Sequence, residues 1–229
     1  KATGIFPLIN RSSDFLMSFR KALLVMGGEP PSEESLLWRR EEADISIAVD
    51  AGWLSFRHAD IFPDVLIGDL DSWGGEESRD DIPQEVELIE VNEQDRTDFQ
   101  KALDYLKKYP DITEIIILGG LGNRTDHLFA NFLIACSVDS DLIIIFDSEK
   151  EWIRRVTSNT KLKIIGQEGA TVSLLPITCC NSVKTAGLKW EIENQVLSGV
   201  ESFSQSNMCI SNEAWVSVES GSLLVILQK

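Results

Sequence analysis

Six short strand-like runs rich in Ile, Val and Leu occupy the first two-thirds of the chain: Ala22 to Met26, Ile45 to Val49, Asp64 to Gly68, Val86 to Val91, Glu114 to Leu118 and Leu142 to Phe146. A strand that is apolar on both sides has to be buried on both sides, which is the condition of a parallel sheet covered by helices. The covering helices are legible too. Pro30-Pro31-Ser32 opens one through Ala43, with Ser32 as N-cap, and a short one follows Asp50-Ala51-Gly52 to about Ala59. In Asp98 to Tyr109, Phe99, Ala102, Leu103 and Leu106 recur at i, i+3, i+4 and i+7, with Lys101, Asp104, Lys107 and Lys108 on the other face. A fourth helix runs from about Asp126 to Ser137. Ligands of such sheets gather at the carboxyl ends of the strands, where Asp50, Asp69 and the Gly119 turn fall.

After about residue 156 the pattern changes. Lys161 to Ile165, Thr171 to Leu175, Trp215 to Glu219 and Leu223 to Leu227 are short strand-like runs, several alternating in polarity, with Gly, Asn and Ser between them. No helix-length amphipathic pattern appears. The expected fold class is therefore α/β: a largely parallel-sheet α/β domain over 17–150, then a small antiparallel β-sandwich or barrel over 156–229. Residues 1–16 show no clean period and read as an N-terminal extension, with Met17 a candidate original start. They contain no sustained apolar segment followed by a small-residue cleavage site, so no signal peptide is expected.

Charge narrows the partners. With 21 Lys and Arg against 37 Asp and Glu, the net charge is −16. That disfavours non-specific binding to nucleic acid or anionic membranes, both of which need clustered cations. No run approaches the ~18 apolar residues of a membrane span. An anionic substrate would have to be attracted by a metal ion and a few placed Arg or Lys. The cysteines, Cys136, Cys179, Cys180 and Cys209, form no C-x-x-C pair, and His58 and His127 lie far apart, so neither a zinc site nor a disulfide scaffold is expected. A reducing, cytoplasmic location fits that usage.

Several segments have the residue types for phosphate chemistry, and each also has a plain structural reading. In Gly68-Asp69-Leu70-Asp71-Ser72, carboxylates at i and i+2 of an extended chain point to the same side and repel unless a cation intervenes; Mg2+ suits the pair, and a surface turn is the alternative. In Gln94-Asp95-Arg96-Thr97-Asp98, Thr97 or Asp98 serves as helix N-cap, or Asp98 stands beside a metal at a helix end that favours anions. Gly119-Gly120-Leu121-Gly122-Asn123-Arg124-Thr125-Asp126-His127 joins strand to helix. Its glycines admit close approach of phosphate, and Arg124 offers a guanidinium fork, but it is neither a Walker loop nor a dinucleotide fingerprint. The structural alternatives are an N-cap for Asp126 and a satisfied histidine for His127. In Gly187-Leu188-Lys189-Trp190, Trp190 is either a half-buried sheet aromatic or a flat stacking surface. Ser206-Asn207 reads as a turn.

These segments, in this order, resemble the thiamine pyrophosphokinase (thiamin diphosphokinase) family over about Ala22 to Leu227. One departure is visible: the family's first acidic turn is usually Asp-Gly-Gly, here Asp50-Ala51-Gly52. The resemblance implies transfer of a diphosphate from ATP to the hydroxyethyl group of thiamine, giving thiamine diphosphate and AMP. It implies an ATP-binding catalytic α/β domain, a β-sandwich thiamine-binding domain, and a homodimer with the active site at the interface. It implies Mg2+ on Asp69, Asp71 and Asp98, with Arg124 and Asp126 completing the catalytic set. Asp50, Gly52, Asp69, Ser72, Gly120, Gly122 and Arg124 would meet ATP. Gln94, Thr97, Asp126, Trp190, Ser206 and Asn207 would meet thiamine. Two rival readings use the same carboxylates: a Mg2+-dependent hydrolase of nucleotides or phosphate esters, and a non-catalytic thiamine or nucleotide sensor. Trp190 and Ser206-Asn207 argue for an organic acceptor and against the hydrolase. Retention of Asp69, Asp71, Asp98 and Arg124 together argues against the sensor.

Overall fold

The computed structural model describes residues 20–68, 82–90, 95–122, 124–138, 141–158, 160–199 and 204–229. Asp69, Asp71, Ser72, Gln94 and the 1–16 segment lie outside the described residues. The chain divides into two compact units, one ending at Glu149 and one spanning Lys150–Lys229.

The first unit runs β1 (Arg20–Val25), α1 (Glu33–Glu42), β2 (Ile45–Val49), α2 (Gly52–His58), β3 (Val65–Gly68), β4 (Glu87–Glu90), α3 (Asp98–Leu106), β5 (Ile112–Leu118), α4 (Thr125–Ser137) and β6 (Ile143–Asp147). Its strands pair in the order β6-β5-β1-β2-β3-β4, and every pairing is parallel. The central runs are buried: Ile45–Val49 is buried at every position, Ser46 included, whose Oγ donates to Asp64 Oδ2 at 2.9 Å, whereas the edge strand β4 is exposed at Glu87 and Glu90. One face packs Leu23, Val25, Ala48, Leu66, Ile116 and Leu118 against Leu36 of α1 and Trp53 and Phe56 of α2. Elsewhere Phe146 takes Phe132 and Phe99 edge-on at 5.3 and 6.3 Å. Such aromatic pairs contribute ~0.5–1.5 kcal/mol each beyond the area they bury.

Local chemistry sets the helix ends. The Ser32 hydroxyl accepts from the Ser35 N–H at 3.2 Å, as its position before Glu33 predicts. Ser32 also donates to Glu149 Oε1 at 2.7 Å. Arg39 reaches Asp147 at the carboxyl end of β6 through Nε at 2.8 Å and again through Nη2, with its guanidinium 3.8 Å above the Trp38 ring. The Asp147 side chain has no exposed surface, so this pair ties α1 to the sheet edge, and removing either partner would strand a buried charge. Helix α3 ends at Leu106, three residues short of the Tyr109 expected from its periodicity.

The second unit is all β: β7 (Glu151–Val156), β8 (Lys161–Ile165), β9 (Thr171–Pro176), β10 (Cys180–Ala186), β11 (Gln195–Leu197), β12 (Ser204–Met208), β13 (Glu213–Ser217) and β14 (Leu223–Gln228). Two antiparallel arrays result, β12-β9-β14-β7 and β11-β10-β13-β8. Four of these strands, β7, β10, β11 and β12, were not expected from pattern. Charged or polar residues interrupt their alternation: Arg154 and Arg155 are both buried in β7, and positive-φ residues bend β10 and β12 at Ser182 and Ser206.

Candidate functional site

Glycines cluster at the carboxyl ends of β1, β2, β3 and β5: Gly27-Gly28, Gly52, Gly68 and Gly119-Gly120. Asp50 leaves β2 at φ 49°, a left-handed conformation that Asp tolerates better than most residues. Its N–H donates to the Ile67 carbonyl of β3 at 2.8 Å. Ala51 then sits at φ −59°, ψ −9° and leads into α2. The left-handed position of the turn is Asp50, and Ala51 is ordinary right-handed backbone that accepts alanine without strain. The methyl group of Ala51 has one consequence: a Cβ on Gly27 would lie 2.7 Å from it. Gly52 is buried, and a Cβ there would meet the Val25 carbonyl at 1.9 Å. Packing against β1 alone requires glycine at that position.

The β5 turn is zipped to the end of β1. Met26 N–H donates to Leu118 O at 2.9 Å, Gly28 N–H to Gly119 O at 2.8 Å and Glu29 N–H to Leu121 O at 2.7 Å. Gly119 and Gly122 take φ values of 64° and 82°, where a side chain is strained. Behind the turn, buried Asn131 of α4 donates through Nδ2 to the Gly120 carbonyl at 2.9 Å. Sequence reasoning missed Asn131 and the part played by Gly27-Gly28. The available signals were an amide inside an otherwise apolar helix and a glycine pair at a strand end.

Arg124 occupies the N-cap position of α4 and Asp126 its first turn, so Asp126 is not the cap. The guanidinium instead grips Asp126, Nη2 to Oδ2 at 2.6 Å and Nε to Oδ1 at 3.2 Å, with both side chains about two-thirds exposed. That hydrogen-bonded pairing holds the Asp126 carboxyl below the usual carboxylate range and raises Arg124. At the start of α3, Thr97 is the N-cap in a reciprocal capping box with Gln100. Asp98 lies in the first turn, its Oδ1 3.0 Å from Lys101 Nζ. Parallel topology places the starts of α3 and α4 at the sheet end where Gly68 leads toward Asp69. Among the described residues there is no group of three metal-ligating side chains. Asp98 is the one proposed ligand among them, a hard oxygen donor of the kind Mg2+ takes.

In the second unit, Gly187 adopts φ 76° and a Cβ there would clash with Glu213 O and Ser211 Oγ, both at 2.5 Å. Trp190 is 58% exposed, with Lys189 Nζ 4.6 Å from its ring centre. Asn207 is not a turn residue. It is 1% exposed on β12, and its amide clamps Trp190 from both sides: Trp190 N–H donates to Oδ1 at 3.1 Å, and Nδ2 donates to Trp190 O at 2.7 Å. Ser206, at φ 55°, bulges outward and its N–H donates to Ser173 Oγ at 3.0 Å.

A parallel α/β unit with glycine-lined strand ends, followed by an all-β unit that presents an exposed tryptophan, defines a two-unit protein of the ligand-binding α/β class. Two family models divide the chain in the same order. The thiamin pyrophosphokinase catalytic domain matches residues 36–165, and the thiamin pyrophosphokinase vitamin B1 binding domain matches 157–223. The chain belongs to the thiamin pyrophosphokinase family. It is 29% identical over 173 residues to thiamine pyrophosphokinase 1 of Oryza sativa subsp. japonica, a match covering 71% of this chain and 64% of that protein. It is 28% identical over 196 residues to thiamine pyrophosphokinase of Bacillus subtilis, covering 83% and 87%. The fold is shared with the crystal structure of the Bacillus subtilis enzyme at a TM-score of 0.73 and 22% identity, covering 92% of this chain and 99% of that one.

Proposed function

We propose that the chain is a thiamine pyrophosphokinase. It transfers the terminal diphosphate of ATP to the hydroxyethyl oxygen of thiamine, giving thiamine diphosphate and AMP. The observation that carries this reading is the pair of matched family models in series, one over the α/β half and one over the β half. We assign 17–150 as the ATP-binding catalytic domain and 156–229 as the thiamine-binding domain, acting as a cytoplasmic homodimer with its site at the interface.

Such chemistry is mostly positioning and charge neutralisation. Asp69, Asp71 and Asp98 are the residues that would hold Mg2+, which screens phosphate charge and aligns the phosphates when bound. The Gly120 and Gly122 backbone, with Asp50, Gly52 and Ser72, frames the nucleotide. Arg124 exchanges Asp126 for phosphate oxygen and neutralises charge on the transferred group. Asp126, released from that pair, accepts a hydrogen bond from the attacking hydroxyl. Gln94 and Thr97 meet the aminopyrimidine, and Trp190 stacks on the cationic ring, flanked by Ser206. Asn207 serves that end by holding Trp190, since its own amide is spent on backbone groups.

The test is to incubate the protein with ATP, Mg2+ and thiamine, and to follow AMP and thiamine diphosphate. Thiamine-dependent AMP, abolished by EDTA and restored by Mg2+, is expected. Nucleotide breakdown that ignores thiamine would replace this reading with a hydrolase, and binding without turnover would replace it with a sensor.

A further inference from the structure

Consecutive carbonyl groups of the glycine turn after β5 are each held by a donor. The Leu118, Gly119 and Leu121 oxygens accept from the N–H groups of Met26, Gly28 and Glu29 at 2.9, 2.8 and 2.7 Å. The Gly120 oxygen, between them, accepts instead from a side chain, Nδ2 of Asn131, at 2.9 Å. The first three bonds are main chain to main chain and indifferent to residue type. The fourth exists because position 131 is asparagine.

Asparagine is otherwise a poor choice there. It is a weak helix former, and its amide is buried in α4 next to Phe132 and close to Ala135, which are buried too. A buried amide is tolerated only when hydrogen-bonded, and the Gly120 carbonyl supplies the acceptor. Gly120 needs the clasp as well. A Cβ on it would stand 2.7 Å from Ile117 Cγ2 and 2.8 Å from Phe146 Cδ1, so packing demands glycine. Glycine leaves the peptide that follows it freer to rotate than any other residue would.

The direction of that peptide matters for an anion. A trans peptide is planar, so its C=O and N–H point in opposite directions, and no peptide among the described residues is cis. With the Gly120 oxygen turned onto α4, the Leu121 N–H faces the other way. No carbonyl from Leu118 to Leu121 then points at a bound phosphate chain. Phosphate oxygens are acceptors, so a carbonyl aimed at them would meet repulsion where an N–H or a cation is wanted. The same helix carries Arg124 about two turns before Asn131, so the clasp also fixes the turn against the element that presents the guanidinium.

We propose, on the reading that this turn frames ATP, that Asn131 is a positioning residue for the nucleotide: it holds the Gly120 carbonyl away from the phosphates, and ATP affinity depends on it while thiamine affinity does not. The test compares the full chain with Asn131→Leu and Asn131→Asp by calorimetry, titrating ATP with Mg2+ and, separately, thiamine, at a temperature where each protein is folded. Leucine keeps the volume and removes the donor, and should weaken ATP roughly tenfold, the scale of one neutral hydrogen bond, with thiamine unchanged. Aspartate keeps the shape but donates only when protonated. Its carboxyl, buried and facing a carbonyl, titrates above the ordinary range, so its ATP deficit relative to the parent should shrink from about pH 8 to about pH 5 while that of leucine stays constant. A leucine variant that unfolds earlier yet binds ATP as the parent does would make Asn131 structural only and overturn the proposal. Equal loss of ATP and thiamine, or an aspartate deficit indifferent to pH, would overturn it too, and the aspartate variant carries the test if leucine does not fold. A parent that binds ATP but forms no thiamine-dependent AMP overturns the proposed function alone, and a parent that binds no ATP overturns both.

Discussion

Substituting Gly27 by alanine would place a methyl carbon 2.7 Å from the Cβ of Ala51, while the next neighbours, Cα and C of the same residue, lie at 3.5 and 3.6 Å. The first distance is a clash and the other two are ordinary contact, so the whole penalty belongs to one methyl group. Gly27 has no positive φ, so its backbone accepts an L side chain. Overpacking of this size costs ~1–3 kcal/mol, against which the stiffer unfolded chain returns ~0.4–1 kcal/mol. Gly27→Ala alone should therefore destabilise by about 1–2 kcal/mol. In an Ala51→Gly background the clash is gone, and the same change should be neutral or stabilising by up to ~1 kcal/mol. Urea unfolding of the four proteins closes the cycle, with an expected coupling of about 2 kcal/mol. Effects that add to within ~0.5 kcal/mol would refute the argument that the Ala51 methyl group is what requires glycine at position 27.

Other outcomes follow from the same geometry. Arg124→Ala should lower turnover by ~10³-fold, the scale of one placed arginine in phosphoryl transfer, with unchanged thermal unfolding since its ion pair is exposed. Carboxyl NMR should find Asp126 titrating below the ordinary value, and Arg124→Ala should return it there. The folded state lowers this pKa, so any stabilisation from the pair is present above the ordinary value and disappears as pH falls through the lowered one. Asn207→Ala strands the backbone groups of Trp190 and should destabilise by ~2 kcal/mol. Gly52→Ala drives a methyl group into the Val25 carbonyl and should cost about 3 kcal/mol or more, or fail to fold, on the same urea assay.

The class of fold and the place of the site were legible in the chain because they depend on local quantities. Continuous aliphatic runs such as Ile115–Leu118 leave no solvated face, so they impose helices on both sides of a parallel sheet. Ser32 and Thr97 cap helices with atoms one turn away, which sequence spacing determines. Asp50 and the Gly119 turn lie at strand ends because the apolar runs stop there. Tertiary structure decided what depends on which atoms the packed chain brings into contact. Asn207, read as a turn residue or, by resemblance, a thiamine contact, is a buried clamp on Trp190, beside the bridge of Leu188 to Cys209. Asp126, whose structural alternative was a cap, pairs with Arg124, and Asn131 holds the Gly120 carbonyl. The strands β7, β10, β11 and β12 were hidden because cross-strand pairing holds buried arginines and left-handed serines in sheets that alternation alone would not predict. Periodicity records which faces a segment must bury; only the packed chain settles which atoms meet there, since hydrogen bonds and clashes are set to tenths of an ångström by residues as far apart in the chain as Arg39 and Asp147.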